Sequence, residues 1–197
     1  MTPLTFAHSA FAPLAIGFFG LGTGYLIWGG QALFKYPQDS PAVDRTIGMW
    51  GIWMNGFMQF LTGVYLMVGL TWFGVFTNSP PLYMAALAFT AYGVHWFALS
   101  HRRFIGSSPQ PDAWMAIGFF LLSLLGALVF FSVADVPVGI LFIGLCLIYI
   151  TEIPTSFGVF ATGHRWVGLW QFLTGVWLMY LTYAVTMNTA LGAHWWL

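Results

Sequence analysis

The chain is predicted to be an all-α integral membrane protein with six transmembrane helices per protomer, on three observations. First, charged residues make up only 5% of the 197 residues and hydrophobic ones 59%, where a soluble domain carries about 25% charged residues. Mean hydropathy is +0.82. Second, apolar runs of about twenty residues, the length that crosses a hydrocarbon core of roughly 30 Å, are separated by short polar or proline-bearing stretches. Third, residues 51–67, GIWMNGFMQFLTGVYLM, return at 163–179 as GHRWVGLWQFLTGVWLM, with ten of seventeen positions identical. Each copy is apolar nearly all round. Gly56, Gln59 and Gly63, with Thr62 beside them and Asn55 at the edge, form one small and polar stripe, repeated by Gly168, Gln171, Thr174 and Gly175. Such a helix belongs in lipid, with that stripe turned to other protein.

Spans are expected at about 11–34, 47–72, 82–100, 113–133, 137–158 and 166–187, as a single domain over 1–197. The first is glycine-rich, and Gly20 with Gly24 lets backbones approach. Residues 35–46, with Pro37 and Pro41, read as a polar loop, and Asn78-Ser79-Pro80-Pro81 as a turn. Residues 101–112 form the most polar stretch. Asp135 and Pro137 mark a very short turn, Pro154 kinks or ends the fifth span, and 160–165 read as a loop. Trp195 and Trp196 are interfacial anchors. The N-terminus lacks the positive region of a signal peptide, so the first span is expected to be retained.

Lys35, Arg45, Arg102, Arg103 and Arg165 all fall in or beside the loops after spans one, three and five. The positive-inside bias therefore puts loops 35–46, 101–112 and 159–165 in the cytoplasm and both termini outside, in the cell's inner membrane. The formal net charge is zero and no basic run exists, which argues against nucleic acid or a lipid-surface anchor. The lone Cys146 excludes a disulfide framework or a cysteine metal site within one chain. No HExxH, GxSxG, phosphate-binding loop or cysteine cluster is present, so no enzyme, metal or cofactor is expected.

The chain resembles the acetate–succinate channel family of small six-helix membrane proteins. PLAIGFFG at 13–20, GFMQFLTG at 56–63 and AFTAYGVHW at 88–96 carry the resemblance. It implies a homo-hexamer with one pore through each protomer, and a small monocarboxylate passing an aromatic and aliphatic constriction. By motif that constriction falls on Phe19, Tyr92 and, near the fifth helix, Leu147. Ala10, Phe11, Ala12 and Pro13 stand where the family opens with Asn-Pro-Ala-Pro, and the loop between spans two and three is longer. The family's termini are usually cytoplasmic, against the charge bias. The chain is also similar to the six-helix urea and short-amide channels, whose termini face outward. Glu152 and Gln171 stand near their two acidic positions.

Each candidate has two readings. Glu152, the one carboxylate expected inside a span, either takes up a proton with an incoming carboxylate or contacts a urea nitrogen, or else caps the helix end. Gln59 and Gln171 either offer amides to a solute or bond between helices, worth about 0.6–2 kcal/mol; Asn55 and Thr62 share their stripe. Phe19 and Tyr92 form a dry gate or plain packing. His95 either ligates haem or senses pH, or bonds at a helix interface. Arg102, Arg103 and Arg165 draw anions or anchor the topology. The expected function is a channel for a small carboxylate, acetate first. The rivals are a channel for a neutral solute and a structural subunit of a larger membrane complex.

Overall fold

The computed structural model describes residues 13–74, 76 and 78–197. The N-terminal lead, with His8 and the departures at Ala10, Phe11 and Ala12, lies outside the described residues. All regular structure among them is helical: α1 (Leu14–Phe34), α2 (Pro41–Trp50), a π-helical segment (Gly51–Phe57), α3 (Met58–Thr71), α4 (Leu82–Ile105), α5 (Asp112–Ser132), α6 (Val136–Ser156) and α7 (Gly163–Leu191). α2, the π segment and α3 follow without a break, so the elements form six rods. α4, α5 and α6 are long and apolar enough to cross a membrane. α1 and α7, at 21 and 29 residues, reach the same length at about 1.5 Å per residue.

Two polar stretches are more helical than the sequence implied. The second rod starts at Pro41, inside the stretch read as a loop. Ser40 caps it by accepting the Val43 N–H at 3.3 Å, and Pro41 takes the first turn, a pairing that nucleates helices regardless of polarity. α4 continues through His101, Arg102 and Arg103 to Ile105, ending where Gly106 adopts φ 74°. The basic residues of that last turn suit the helix dipole. Pro154 lies within the last turn of α6.

The rods associate most extensively in three pairs: α7 with α1, α3 with α4, and α5 with α6. Small residues set each contact. A methyl group at Gly168 would stand 2.8 Å from Ala32 Cβ, and one at Gly175 would stand 3.2 Å from Gly22 O, both across the α7–α1 seam. Gly63 packs on the Thr90 backbone of α4, and Gly126 of α5 on the Phe142 ring of α6. In lipid such seams rest on close van der Waals contact rather than on burial from water. The repeated QFLTGV motif now has a reason: α3 and α7 are equivalent members of their pairs.

Large apolar side chains cover the outer surface, among them Leu121, Leu128, Leu173 and Val176. The centre is aromatic: Tyr25, Tyr92, Trp96 and Tyr149 are each 1–2% exposed.

Candidate functional site

α1, α4 and α6 each turn five positions inward at the same spacing of four, three, four and three residues, the repeat that keeps one helical face in line. The positions are Leu14, Phe18, Leu21, Tyr25 and Trp28; Ala85, Phe89, Tyr92, Trp96 and Leu99; and Val138, Phe142, Leu145, Tyr149 and Glu152. Read across the three helices they make five tiers. The first three tiers, Leu14–Ala85–Val138, Phe18–Phe89–Phe142 and Leu21–Tyr92–Leu145, all line one cavity of about 590 Å³. Its rim holds Asn78, Ser79, Pro80 and Asp135. The fifth tier, Trp28–Leu99–Glu152, lines a second cavity of about 560 Å³ at the opposite end. The fourth tier, Tyr25–Trp96–Tyr149, lines neither cavity. It is a plug: tiers three and five lie seven residues apart, about 10 Å along a helix.

The plug is held by aromatic contacts. Trp96 meets Tyr25 edge-on at 5.7 Å and Trp28 at 5.1 Å, and Tyr149 stacks on Tyr92 at 6.1 Å. Such pairs contribute about 0.5–1.5 kcal/mol beyond their area. Tyr92 is fixed at its far end, where its hydroxyl and that of Ser123 share a 2.7 Å hydrogen bond.

The two cavities, labelled outer and inner after the orientation expected from the basic loops, differ in chemistry. Among the described residues the outer one carries a single charged group, Asp135, at its rim. That carboxylate caps α6 by accepting the Val138 N–H at 3.2 Å, and burial pushes its pKa upward. The inner cavity is lined by Lys35, Asp39, Asp44, Arg102, Arg103, Asp112, Glu152 and His164. Arg103 donates to Asp44 Oδ1 at 2.9 Å and to Gln31 Oε1 at 3.1 Å, and lies over the Trp28 ring at 4.6 Å. Gln31 in turn donates to Asp39. Arg102 pairs with Asp112 at 2.8 Å. The inner mouth is therefore a charged frame tying α1, α2, α4 and α5 together.

Two of the motif-assigned constriction residues fall elsewhere. Phe19 is 42% exposed on the outer surface, whereas Phe18, at 3%, faces the cavity. Neighbouring helical residues point about 100° apart, and both phenylalanines lie between Gly17 and Gly20, so a single glycine-flanked phenylalanine matches either. Leu147 is half-buried and lines neither cavity, and Leu145, two positions back, holds the tier. Tyr92 lies in the third tier. Gln59 opens on the outer cavity and Gln171 on the inner one. The repeated motif sits about one turn further along its partner in α7 than in α3: Gly56 meets Phe97 on α4, whereas Gly168 meets Gly29 and Ala32 on α1. Thr62 is buried and donates to Met58 O at 2.9 Å. Glu152 lies in the inner cavity, within electrostatic range of Tyr25 and Tyr149. His95 packs on Phe119 at 4.4 Å and on Trp96. Among the described residues no three His, Cys, Asp or Glu side chains cluster as a metal site.

Asn55 is fully buried in the π segment, against Gly24, where any Cβ would collide with its amide. Among the described residues neither Asn55 amide atom has a hydrogen-bond partner, nor do Gln59 Oε1, Trp96 Nε1 and Ser100 Oγ, whereas the Tyr25 hydroxyl is held by that of Tyr149. Each such buried atom costs about 1–3 kcal/mol.

The sequence reading missed the tiers and the Gln31–Arg103–Asp44 frame. The signal for the tiers was the shared four-three spacing, visible once three helices are aligned. Fold and site together define a class: an all-helical bundle with two opposed cavities on either side of a closed aromatic tier. No protein-family profile matches the chain, and no curated protein matches it. Among solved structures, that of the bacterial acetate channel SatP matches with a TM-score of 0.72 over 92% of this chain and 95% of that one. Identity is 16%, so the likeness is one of fold.

Proposed function

We propose that the chain is a multi-pass inner-membrane channel for a small monocarboxylate such as acetate, with one path through each protomer. The six rods are its membrane spans, in a single domain. The basic ends of α1 and α4 face the cytoplasm, and six protomers assemble. The observation that carries this reading is the pair of opposed cavities that stop on either side of a plug one side chain thick. An apolar waist of that kind passes a small, poorly hydrated solute once an aromatic ring swings, and holds back hydrated ions. The fold shared with an acetate channel supports the choice of solute.

Uptake of labelled acetate by proteoliposomes tests it. The expected result is uptake well above that of empty vesicles, with larger dicarboxylates slower. Acetate uptake equal to that of empty vesicles overturns the proposal.

A further inference from the structure

The second rod carries a line of groups that the tiers do not use. Gly51, Asn55 and Gln59 follow at four-residue spacing and share one face. At its outer end Gln59 reaches the outer cavity. In the middle, the Asn55 amide fills the notch at Gly24, the residue before the plug's Tyr25. At the inner end Ser100 lies against Gly51, one turn along α4 from the plug's Trp96. The unpartnered atoms of Asn55, Gln59, Trp96 and Ser100 therefore belong to residues strung along this face beside the plug. All four side chains are at most 1% exposed.

Buried polar atoms are normally paired, and a cluster left open at the waist of a path is a set of ligand contacts. Its chemistry is specific. Asn55 offers a donor and an acceptor, Gln59 an acceptor, Trp96 a donor, and the Ser100 hydroxyl either role. None of them is charged, and tiers one to four hold no charge. An ion at this level would be desolvated with nothing opposite to compensate. The π segment that carries Asn55 is a helix form that frequently occurs at functional sites.

We infer that Asn55, with Gln59, Trp96 and Ser100, is a transit site for an uncharged planar group that pairs a carbonyl with an adjacent O–H or N–H. That is the undissociated head of a short carboxylic acid, or a short amide. The inference rests on the channel reading and deepens it: the solute passes the plug in neutral form. When Tyr25 or Trp96 swings aside, the open atoms of the cluster turn to the solute.

The test compares uptake of labelled acetate, propionate, acetamide and methanesulfonate by full-length protein in proteoliposomes, each over empty vesicles. Methanesulfonate is always ionised and somewhat bulkier than acetate, so propionate, of comparable bulk, serves as the size control. The inference expects acetate and propionate to enter and methanesulfonate to be excluded at least tenfold; acetamide entering without acetate keeps the neutral transit site and overturns the monocarboxylate reading. Asn55→Leu and Asn55→Ala are expected to cut that uptake at least tenfold while the detergent-solubilised Tm stays equal or rises, because no hydrogen bond is lost. A lower Tm with wild-type uptake shows a structural asparagine and overturns the inference. Methanesulfonate entering as fast as acetate overturns the neutral form. Absence of uptake of all four by the wild type overturns the channel reading itself, which is distinct from wild-type uptake that survives both substitutions.

Discussion

The two cavities are nearly equal in volume, about 590 and 560 Å³, yet opposite in character. The outer one is built from three tiers of apolar and aromatic side chains on three equivalent helices. The inner one is built from ion pairs that cross between helices, with Arg103 as hinge-pin. The contrast teaches how work is divided along the path. Discrimination by size belongs where the lining is apolar and locked by packing. On the channel reading, the ion-paired end holds the helix ends together around the opening to solution. The plug separates the two tasks.

The strongest way to break the contrast is to remove the wall. Trp96→Ala is expected to raise acetate uptake about tenfold and to lower stability by about 3 kcal/mol, the usual loss for a buried aromatic. Denaturant titration beside flux checks both, and a variant that loses stability without gaining flux leaves the wall in the wrong place. Next in size is a paired substitution in α1. Phe18→Ala is expected to raise uptake of a bulkier acid several-fold, while Phe19→Ala stays at the wild-type rate. Equal effects would return Phe19 to the path. At the inner mouth, Arg103→Gln breaks an ion pair whose partner, Asp44, is 41% exposed. Screening limits the expected loss to about 1 kcal/mol, and the loss should shrink in high salt.

The smallest effect tests the outer rim. Burial raises the Asp135 pKa, so the folded chain holds that proton more tightly than the unfolded one. Its ionised form therefore costs stability above the folded pKa, and stability recovers as pH falls through that value. Asp135→Asn keeps the cap acceptor and drops the charge. It is expected to raise stability slightly at pH 7 and to flatten the acid side of the stability curve.

Six helical rods were legible in the sequence because apolar length and proline-bearing breaks mark them plainly. Phase was not. A helix apolar all round has no polar face to say which side looks inward, so the motif settled on Phe19 although Phe18 lines the cavity. The same ambiguity set Leu147 in place of Leu145. The QFLTGV echo was visible, but its meaning needed the pairing of α7 with α1, which joins the two ends of the chain. The inner frame was invisible for another reason. Gln31, Asp44 and Arg103 are far apart in sequence, and a polar stretch read as loop hid the α2 helix that brings Asp44 to Arg103.

The central claim is that one path, closed at a single tier, joins the two cavities. Single-cysteine accessibility tests it most directly, with Cys146→Ser as background and a small charged thiol reagent applied from one side of the membrane at a time. The account predicts that Leu21→Cys reacts only from the outer-cavity side and Leu99→Cys only from the inner. In the Trp96→Ala background each should also react from the opposite side. If neither position reacts from its own side, or if removing Trp96 opens no cross-reaction, the cavities are unconnected pockets and the path does not exist.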